Sequence, residues 1–322
     1  MKRQNIEVSM GTKTLRGSLW IPDAGNGLGK CPAVVFSHGG GPQNRGGWCT
    51  TFEDKPDEMA QFFIDHGCMV ALWDKPRTGE STGDWKSEGL ADCADNLIAV
   101  VEWTKKIDQS NGTVGVWGLS QGGMIGPPAG SKSRSVDFVI SASSSWVSSD
   151  EQEIFRIQRT LKRDGMTVLQ IEEAVLATNE FHALAHEHAP WDRVLNLCKA
   201  HEGKEWYKSS FLWYVSQWGE RWYDGCMKQP ESIAPDMGFL KALNVPVLFQ
   251  WGLEDDVVDA RRNRQFVEQA IPPTFKELFS LLSYEGLDHG LCDYNSKKRP
   301  SAVYCDILNW LKAIDCAPNK EI

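Results

Sequence analysis

The 322-residue sequence has no uninterrupted apolar run near the roughly 20 residues that a membrane-spanning helix needs, so no span is expected. Its start, MKRQNIEVSM, is basic but has no apolar stretch behind it, so a secretory signal is not expected. It also lacks a basic block, and its formal net charge is −9. These features argue against a nucleic-acid partner bound through its phosphates.

Paired cysteines are missing as well. The nine cysteines are dispersed, with no C-x-x-C pair, and an odd, scattered set is typical of reduced thiols in a cytoplasmic protein. Apolar residues make up 41% and charged residues 24%, which is ordinary for a globular chain. The length allows one large domain or a domain with an insertion. Oligomeric state is not readable from these patterns.

Strand and helix patterns alternate along most of the chain. "IEVSM" and "LRGSLWIP" predict a hairpin with Gly11 in its turn, and "PAVVFSHGGG" predicts a strand buried on both faces that ends in a glycine loop. "CMVALWD", "TVGVWG", "VDFVISAS" and "VPVLFQWG" predict further strands, with helices between them. This alternation predicts an α/β fold, with a mainly parallel sheet covered by helices on both faces.

The pattern changes in the middle of the chain, where polar, amphipathic helical segments such as "DEQEIFRIQRTLKRDG" replace strands. We therefore predict a core in two parts, residues 1–146 and 239–322, interrupted by a helical insertion over residues 147–238.

The stretch "TVGVWGLSQGGMIG" places Gly118-x-Ser120-x-Gly122 between a predicted strand and a predicted helix. Glycines on both sides leave room for a strained turn that projects the serine hydroxyl away from the sheet. This context predicts that Ser120 is a nucleophile.

A serine nucleophile needs a base, and the base needs a carboxylate. His289 lies in "YEGLDHGLC", after a predicted strand, where parallel sheets gather their ligands. "WGLEDDVVD" offers Asp255, with Asp256 as the alternative. Capping of the helix that begins near Ala260 is the plainer reading of this acidic cluster, but Asp259 could do that equally well.

An oxyanion site is predicted from the glycine loop after "PAVVFS". Backbone N–H groups of Gln121 and of Gly40, or its neighbour Gly39, are the expected donors. His38 is expected to brace this loop.

The sequence resembles the α/β-hydrolase superfamily, and within it bacterial esterases of the serine-aminopeptidase and dienelactone-hydrolase-like type. The resemblance rests on "LRGSLWIP", "VVFSHGGGPQNRGG", "WDKPRTGESTG", "GLSQGG", "WGLEDDVV" and "DHG". It implies a largely eight-stranded sheet, a helical cap after the sixth strand and no cofactor. By position it implies Ser120 as nucleophile, Asp255 as acid and His289 as base.

The sequence departs from that pattern at two places. Arg77 stands where such loops usually carry glycine, and it is a candidate contact for a substrate carboxylate. Pro127 and Pro128 are expected to interrupt the helix after the serine, unless that helix bends or ends.

The insertion is rich in aromatic residues, and Trp213 is a tentative substrate contact; packing of the insertion on the core is the plainer explanation. His182 and His186 have helical spacing but lack the pattern of a metal site, so no metal is expected.

The sequence thus predicts a serine hydrolase that cleaves a small-molecule carboxylic ester through an acyl-enzyme. Thioesterase, lactonase and aminopeptidase activities are alternatives, and an acidic residue of the insertion, such as Glu205 or Glu220, would favour the last. A non-hydrolytic binding protein, lyase or isomerase on the same scaffold is a further alternative. A dehalogenase or epoxide hydrolase would need a carboxylate at position 120.

Overall fold

The computed structural model describes residues 1–23, 29–48, 55–228 and 237–317 of the chain. Eight strands of this part form one sheet: β1 (Lys2–Met10), β2 (Lys13–Ile21), β3 (Cys31–Ser37), β4 (Met69–Trp73), β5 (Ser110–Leu119), β6 (Phe138–Ala142), β7 (Val247–Gly252) and β8 (Phe279–Tyr284). Their spatial order is β1-β2-β4-β3-β5-β6-β7-β8. The pairs β1–β2 and β2–β4 are antiparallel and the others are parallel, which confirms the predicted α/β fold and its mainly parallel, eight-stranded sheet.

The burial of the strands follows their position in the sheet. Every residue of β3, β4, β6 and β7 is buried, as expected for parallel strands covered on both faces. The edge strand β1 is mostly exposed, and Gly11 turns the chain into β2 with a φ of 58°. The predicted hairpin is therefore present.

The longer helices are α1 (Glu58–Asp65), α2 (Leu90–Lys105), α3 (Gln121–Lys132), α4 (Ser149–Arg163), α5 (Val168–His186), α6 (Trp191–His201), α7 (Phe211–Trp218), α8 (Ala260–Ala270) and α9 (Ser301–Ala313). Helices α2, α3 and α8 contribute to the apolar cluster on one face of the sheet. Helices α1 and α9 contribute to the cluster on the other face. Three layers result, with the sheet in the middle.

Helix α3 runs through Pro127 and Pro128, so the expected interruption is wrong. A proline at position 127 cannot donate to the carbonyl of Gly123, four residues earlier. That carbonyl instead accepts a hydrogen bond of 2.8 Å from the hydroxyl of Ser141 on β6. A side chain of the neighbouring strand thus replaces one bond that the proline removes.

Helices α4 to α7 and the short helical turns up to Met227 enter between β6 and β7. They share an apolar cluster of their own, built around side chains such as Phe181, Trp206 and Tyr223. We call residues 149–227 the inserted helices. The predicted domain boundaries at 147 and 238 remain predictions, and residues 229–236 lie outside the described part.

Two of the absences noted above have structural counterparts in the described part of the chain. No helix there is long and apolar enough to cross a membrane. The cysteines described are all free thiols.

Candidate active site

Ser120 stands at the sharp turn between β5 and α3. Its backbone has φ 58° and ψ −124°, a conformation that costs a non-glycine residue energy and is typical of strained functional turns. Its N–H donates to the carbonyl of Ala142 on β6, at 2.9 Å. The turn therefore presents the serine at the carboxyl end of the sheet.

The glycines around Ser120 are required by close backbone contacts. A Cβ on Gly118 would lie 2.3 Å from backbone atoms of Gly122, and one on Gly122 would lie 2.2 Å from the carbonyl oxygen of Ser37. Real Cβ atoms do not approach backbone this closely, so both positions must stay without side chains for the turn to close.

His289 and Asp255 are joined by a hydrogen bond of 2.7 Å between Nδ1 and Oδ2. The Asp255 side chain is fully buried, and its other oxygen, Oδ1, accepts from the N–H groups of Val257 and Val258 at 2.6 and 2.9 Å. Because a carboxylate only accepts, Nδ1 of His289 is the donor in this bond, and in the neutral imidazole Nε2 is then the acceptor.

Asp256, the alternative acid, is used differently. It forms ion pairs with Arg159 and Arg163 of α4, at 3.4 and 3.2 Å, and it accepts from the hydroxyl of Tyr294 at 3.0 Å. The structure therefore brings Asp255, rather than Asp256, to the histidine.

Ser120 and His289 line the same cavity, of about 600 Å³. No hydrogen bond joins the two side chains, a situation that is common before a substrate binds. The inserted helices contribute the roof through Gln152, Glu153, Arg156, Phe211, Tyr214 and Trp218. The cavity is thus bounded by the carboxyl ends of the strands on one side and by the insertion on the other.

The glycine loop after β3 distinguishes its two candidate donors. The N–H of Gly39 donates to Oε1 of Gln43 at 2.9 Å, so it is already occupied. Among the described residues the N–H of Gly40 has no such partner, and a Cβ on Gly40 would meet nothing within 4 Å. Gly40 and Gln121, which follows Ser120, are therefore the positions whose N–H groups can meet a substrate oxygen.

His38 is buried beneath this loop, with its ring 4.6 Å from that of Trp73. Burial, and secondarily the charge of Lys75, lowers the pKa of His38 to about 3, so the ring is neutral at pH 7. His38 also lines the cavity, and the bracing role expected of it stays a prediction.

Lys75 was not identified from the sequence. It follows β4, is only 5% exposed, and its Nζ donates to the carbonyls of Gly39 and Gly41 at 2.6 and 3.0 Å. Nζ also donates to Oε1 of Gln121 at 3.2 Å. A lysine two residues after a fully buried strand was the available signal, because such a residue needs internal acceptors when it is buried.

Two expected substrate contacts lie elsewhere. Arg77 does not line the cavity; its side chain is 66% exposed and lies 3.5 Å from Asp84. Its φ of 60° explains why glycine is usual at this place. Trp213 does not line the cavity either, whereas its neighbour Tyr214 does.

Other polar residues of the insertion were considered above as metal ligands or substrate contacts. His182 is buried in the apolar cluster of the inserted helices, its ring stacked 6.4 Å from that of Phe211. The described residues hold no group of three or more acidic, histidine or cysteine side chains placed to bind a metal. Glu205 and Glu220 do not line the cavity. The acidic residue of the inserted helices that does is Glu153, bound to Arg156 at 2.5 and 2.8 Å.

Comparisons with known proteins agree with this fold. The family model of the X-Pro dipeptidyl-peptidases, the S15 family, matches residues 11–279. None of the curated proteins matches the sequence significantly.

Several solved structures share the fold at low identity. An esterase from Pyrococcus furiosus is 15% identical with a TM-score of 0.59, and the alignment covers 98% of this chain and 91% of that one. An α/β hydrolase from a Penicillium species is 16% identical with a TM-score of 0.58, over 97% and 99% of the two chains. Dipeptidyl peptidase 4 of Porphyromonas gingivalis is 14% identical with a TM-score of 0.58, over 97% of this chain and 35% of that one.

Proposed function

Because this chain belongs to the S15 family of X-Pro dipeptidyl-peptidases and has the α/β-hydrolase fold, we propose that it is a serine hydrolase that cleaves carboxylic esters. The observation that carries the proposal is the bond of 2.7 Å between His289 and the buried Asp255, beside a cavity that Ser120 also lines. In this proposal Ser120 is the nucleophile, His289 the base and Asp255 the acid.

The first half of the reaction forms an acyl-enzyme. Nε2 of His289 takes the proton of the Ser120 hydroxyl as Oγ bonds to the ester carbon, and the carbonyl oxygen becomes an oxyanion. Backbone N–H groups of Gly40 and Gln121 stabilise that oxyanion. The intermediate then expels the alcohol, which takes its proton from His289.

The second half repeats these roles with water. His289 removes a proton from water as the water oxygen bonds to the acyl carbon, and collapse of the second intermediate returns the proton to Ser120 Oγ. Asp255 stabilises the positive charge on the imidazole in both halves. These steps use the chain's own side chains and backbone amides.

The cavity sets the size of the substrate. A volume of about 600 Å³ is within the range of small-molecule sites. We also propose that residues 147–238 act as a cap, since Phe211, Tyr214 and Trp218 give the cavity an aromatic wall. That wall would contact the acyl or the alcohol part of the ester. A cytoplasmic location remains a prediction from the sequence.

A fluorophosphonate probe tests the proposal without knowledge of the natural substrate, because it phosphonylates an activated serine. We expect labelling of the wild type and none of Ser120→Ala. Retention of label by Ser120→Ala, or absence of label from a folded wild type, would contradict the proposal. p-Nitrophenyl esters, the matching thioesters and amides then distinguish the substrate classes.

Peptidase activity is the second candidate. The matched family model is that of X-Pro dipeptidyl-peptidases, and Glu153 places a carboxylate in the cavity roof. A dipeptide p-nitroanilide with proline at its second position tests this candidate. Faster cleavage of the anilide than of a matched ester would favour the peptidase.

A further inference from the structure

Lys75 connects the two parts of the chain that would stabilise the oxyanion. A lysine ammonium has three N–H donors. Its acceptors include Gly39 O, Gly41 O and Gln121 Oε1, at 2.6, 3.0 and 3.2 Å. Two of them belong to the glycine loop and the third to the residue after Ser120. Burying this charge is costly unless such partners are present, so the arrangement fixes all of them together.

The bond to Gly39 has a geometric consequence for Gly40. The carbonyl of Gly39 and the N–H of Gly40 belong to one peptide unit, and that unit is trans. In a planar trans peptide the two groups point in opposite directions. When Lys75 Nζ holds the carbonyl on the buried side, the N–H of Gly40 is turned away from Lys75.

The side of the loop opposite Lys75 is the cavity side. Gly40 lines the cavity, and nothing lies within 4 Å of where its Cβ would be. Lys75 does not line the cavity itself, so it cannot touch a substrate there. Its effect on a reaction has to pass through the peptide that it holds.

The bond to Gln121 acts on the second donor. The side chain of Gln121 accepts a hydrogen bond from Lys75, and Gln121 is the first residue of helix α3, directly after the turn at Ser120. One nitrogen atom therefore contacts both the peptide that carries the Gly40 N–H and the side chain of Gln121. A hydrogen bond to the Gly39 carbonyl also polarises that peptide, which strengthens its N–H as a donor.

We propose that Lys75 is a positioning residue that aligns the Gly40 and Gln121 N–H groups on the oxyanion. This inference rests on the proposed function, since it needs Ser120 to form a tetrahedral adduct. The inference gives a role to the buried charge of Lys75, which does not touch the substrate.

A trifluoromethyl ketone provides the test. Ser120 Oγ bonds to the ketone carbon, its proton passes to His289, and the ketone oxygen becomes a hemiketal oxyanion. Its ionisation is followed by ¹⁹F NMR against pH, and kcat and KM are measured with a p-nitrophenyl ester. We expect Lys75→Met to raise the pKa of the hemiketal by about one unit or more. It should lower kcat by roughly 10²-fold, as loss of an oxyanion donor does, and change KM little.

Lys105→Met is the matched control. Lys105 is half-buried, whereas Lys75 is buried, and it likewise donates to a carbonyl, that of Ser135, and to Asp137. None of these residues lines the cavity. We expect this variant to keep the hemiketal pKa and kcat of the wild type. If the effect of Lys75→Met came only from the general loss of a lysine, the hemiketal pKa and kcat would change alike in both variants.

Gln121→Met is the second variant, and it decides the question if Lys75→Met does not fold. It removes one acceptor of Lys75 and leaves the backbone N–H in place, so a smaller rise of the hemiketal pKa is expected. An adduct whose pKa is unchanged in the folded variants would overturn the role of Lys75. A folded wild type that forms no adduct would instead overturn the proposed function, and this inference with it.

Discussion

Replacing Asp255 by asparagine should stop the proposed reaction while leaving the fold in place. Oδ1 of Asp255 accepts from two backbone N–H groups, those of Val257 and Val258, at 2.6 and 2.9 Å. An asparagine must put its own oxygen there, because an NH₂ group would face two donors. Its NH₂ group then points at His289.

That orientation reverses the tautomer of His289. The asparagine NH₂ donates to Nδ1, so the ring proton moves to Nε2, which then cannot accept the proton of Ser120. Wrong-tautomer variants of this kind lose about 10³- to 10⁴-fold in kcat, or roughly 4–5 kcal/mol of transition-state stabilisation. We expect a loss of that size for Asp255→Asn.

The assay is the second-order rate of fluorophosphonate labelling, together with kcat for a p-nitrophenyl ester. Asp256→Asn is the matched control, since Asp256 is bound to Arg159 and Arg163 and does not contact the histidine. It should label within about threefold of the wild type. The reasoning is refuted if folded Asp255→Asn labels within tenfold of the wild type, or if both variants lose activity equally.

Three further outcomes follow from contacts described above. Gly122→Ala should abolish labelling, because its Cβ would lie 2.2 Å from the carbonyl oxygen of Ser37, whereas Gly203→Ala, with nothing within 4 Å, should label normally. Arg77→Ala should hydrolyse anionic and neutral esters within about twofold of the wild type, and a selective loss of anionic esters would contradict this. Burial lowers the pKa of His182 to about 4 from 6.5, so stability that is complete above pH 6.5 is lost as the pH falls towards 4. This loss is about 2 kcal/mol at pH 5. His182→Phe removes this pH dependence. Urea unfolding should therefore show that the variant's free energy of unfolding, relative to the wild type, is higher at pH 5 than at pH 8.

Much of the fold was predictable because the relevant signals are local. Strand β3 is a mostly apolar run that is followed by a glycine loop, and it is buried throughout. The turn at Ser120 was predictable from the glycines around it, because backbone contacts at 2.2 and 2.3 Å leave no room for a Cβ. In both cases residues close in the sequence carry the constraint.

Where the constraint comes from elsewhere in the chain, the sequence was a poorer guide. Helix α3 continues through Pro127 because Ser141, on another strand, takes the carbonyl that the proline leaves free. The choice of Gly40 over Gly39 depends on the side chain of Gln43. Such contacts have no signature in a single segment.

Helical phase explains why Trp213 does not line the cavity. Helix α7 turns Phe211, Tyr214 and Trp218 to the cavity, at spacings of three and four residues. Trp213 lies about 100° around the helix from Tyr214. The density of aromatic residues showed that this segment could form a wall, but not which face of the helix forms it.

Arg159 and Arg163, one helical turn apart on α4, both form ion pairs with Asp256, the residue after Asp255. Ion pairs therefore connect helix α4, which forms part of the cavity roof, to the loop that bears Asp255. The arginines are about half exposed, whereas Asp256 is buried, and salt weakens such pairs to the extent that solvent reaches them. Added salt should therefore loosen the attachment of α4 one residue away from the partner of His289.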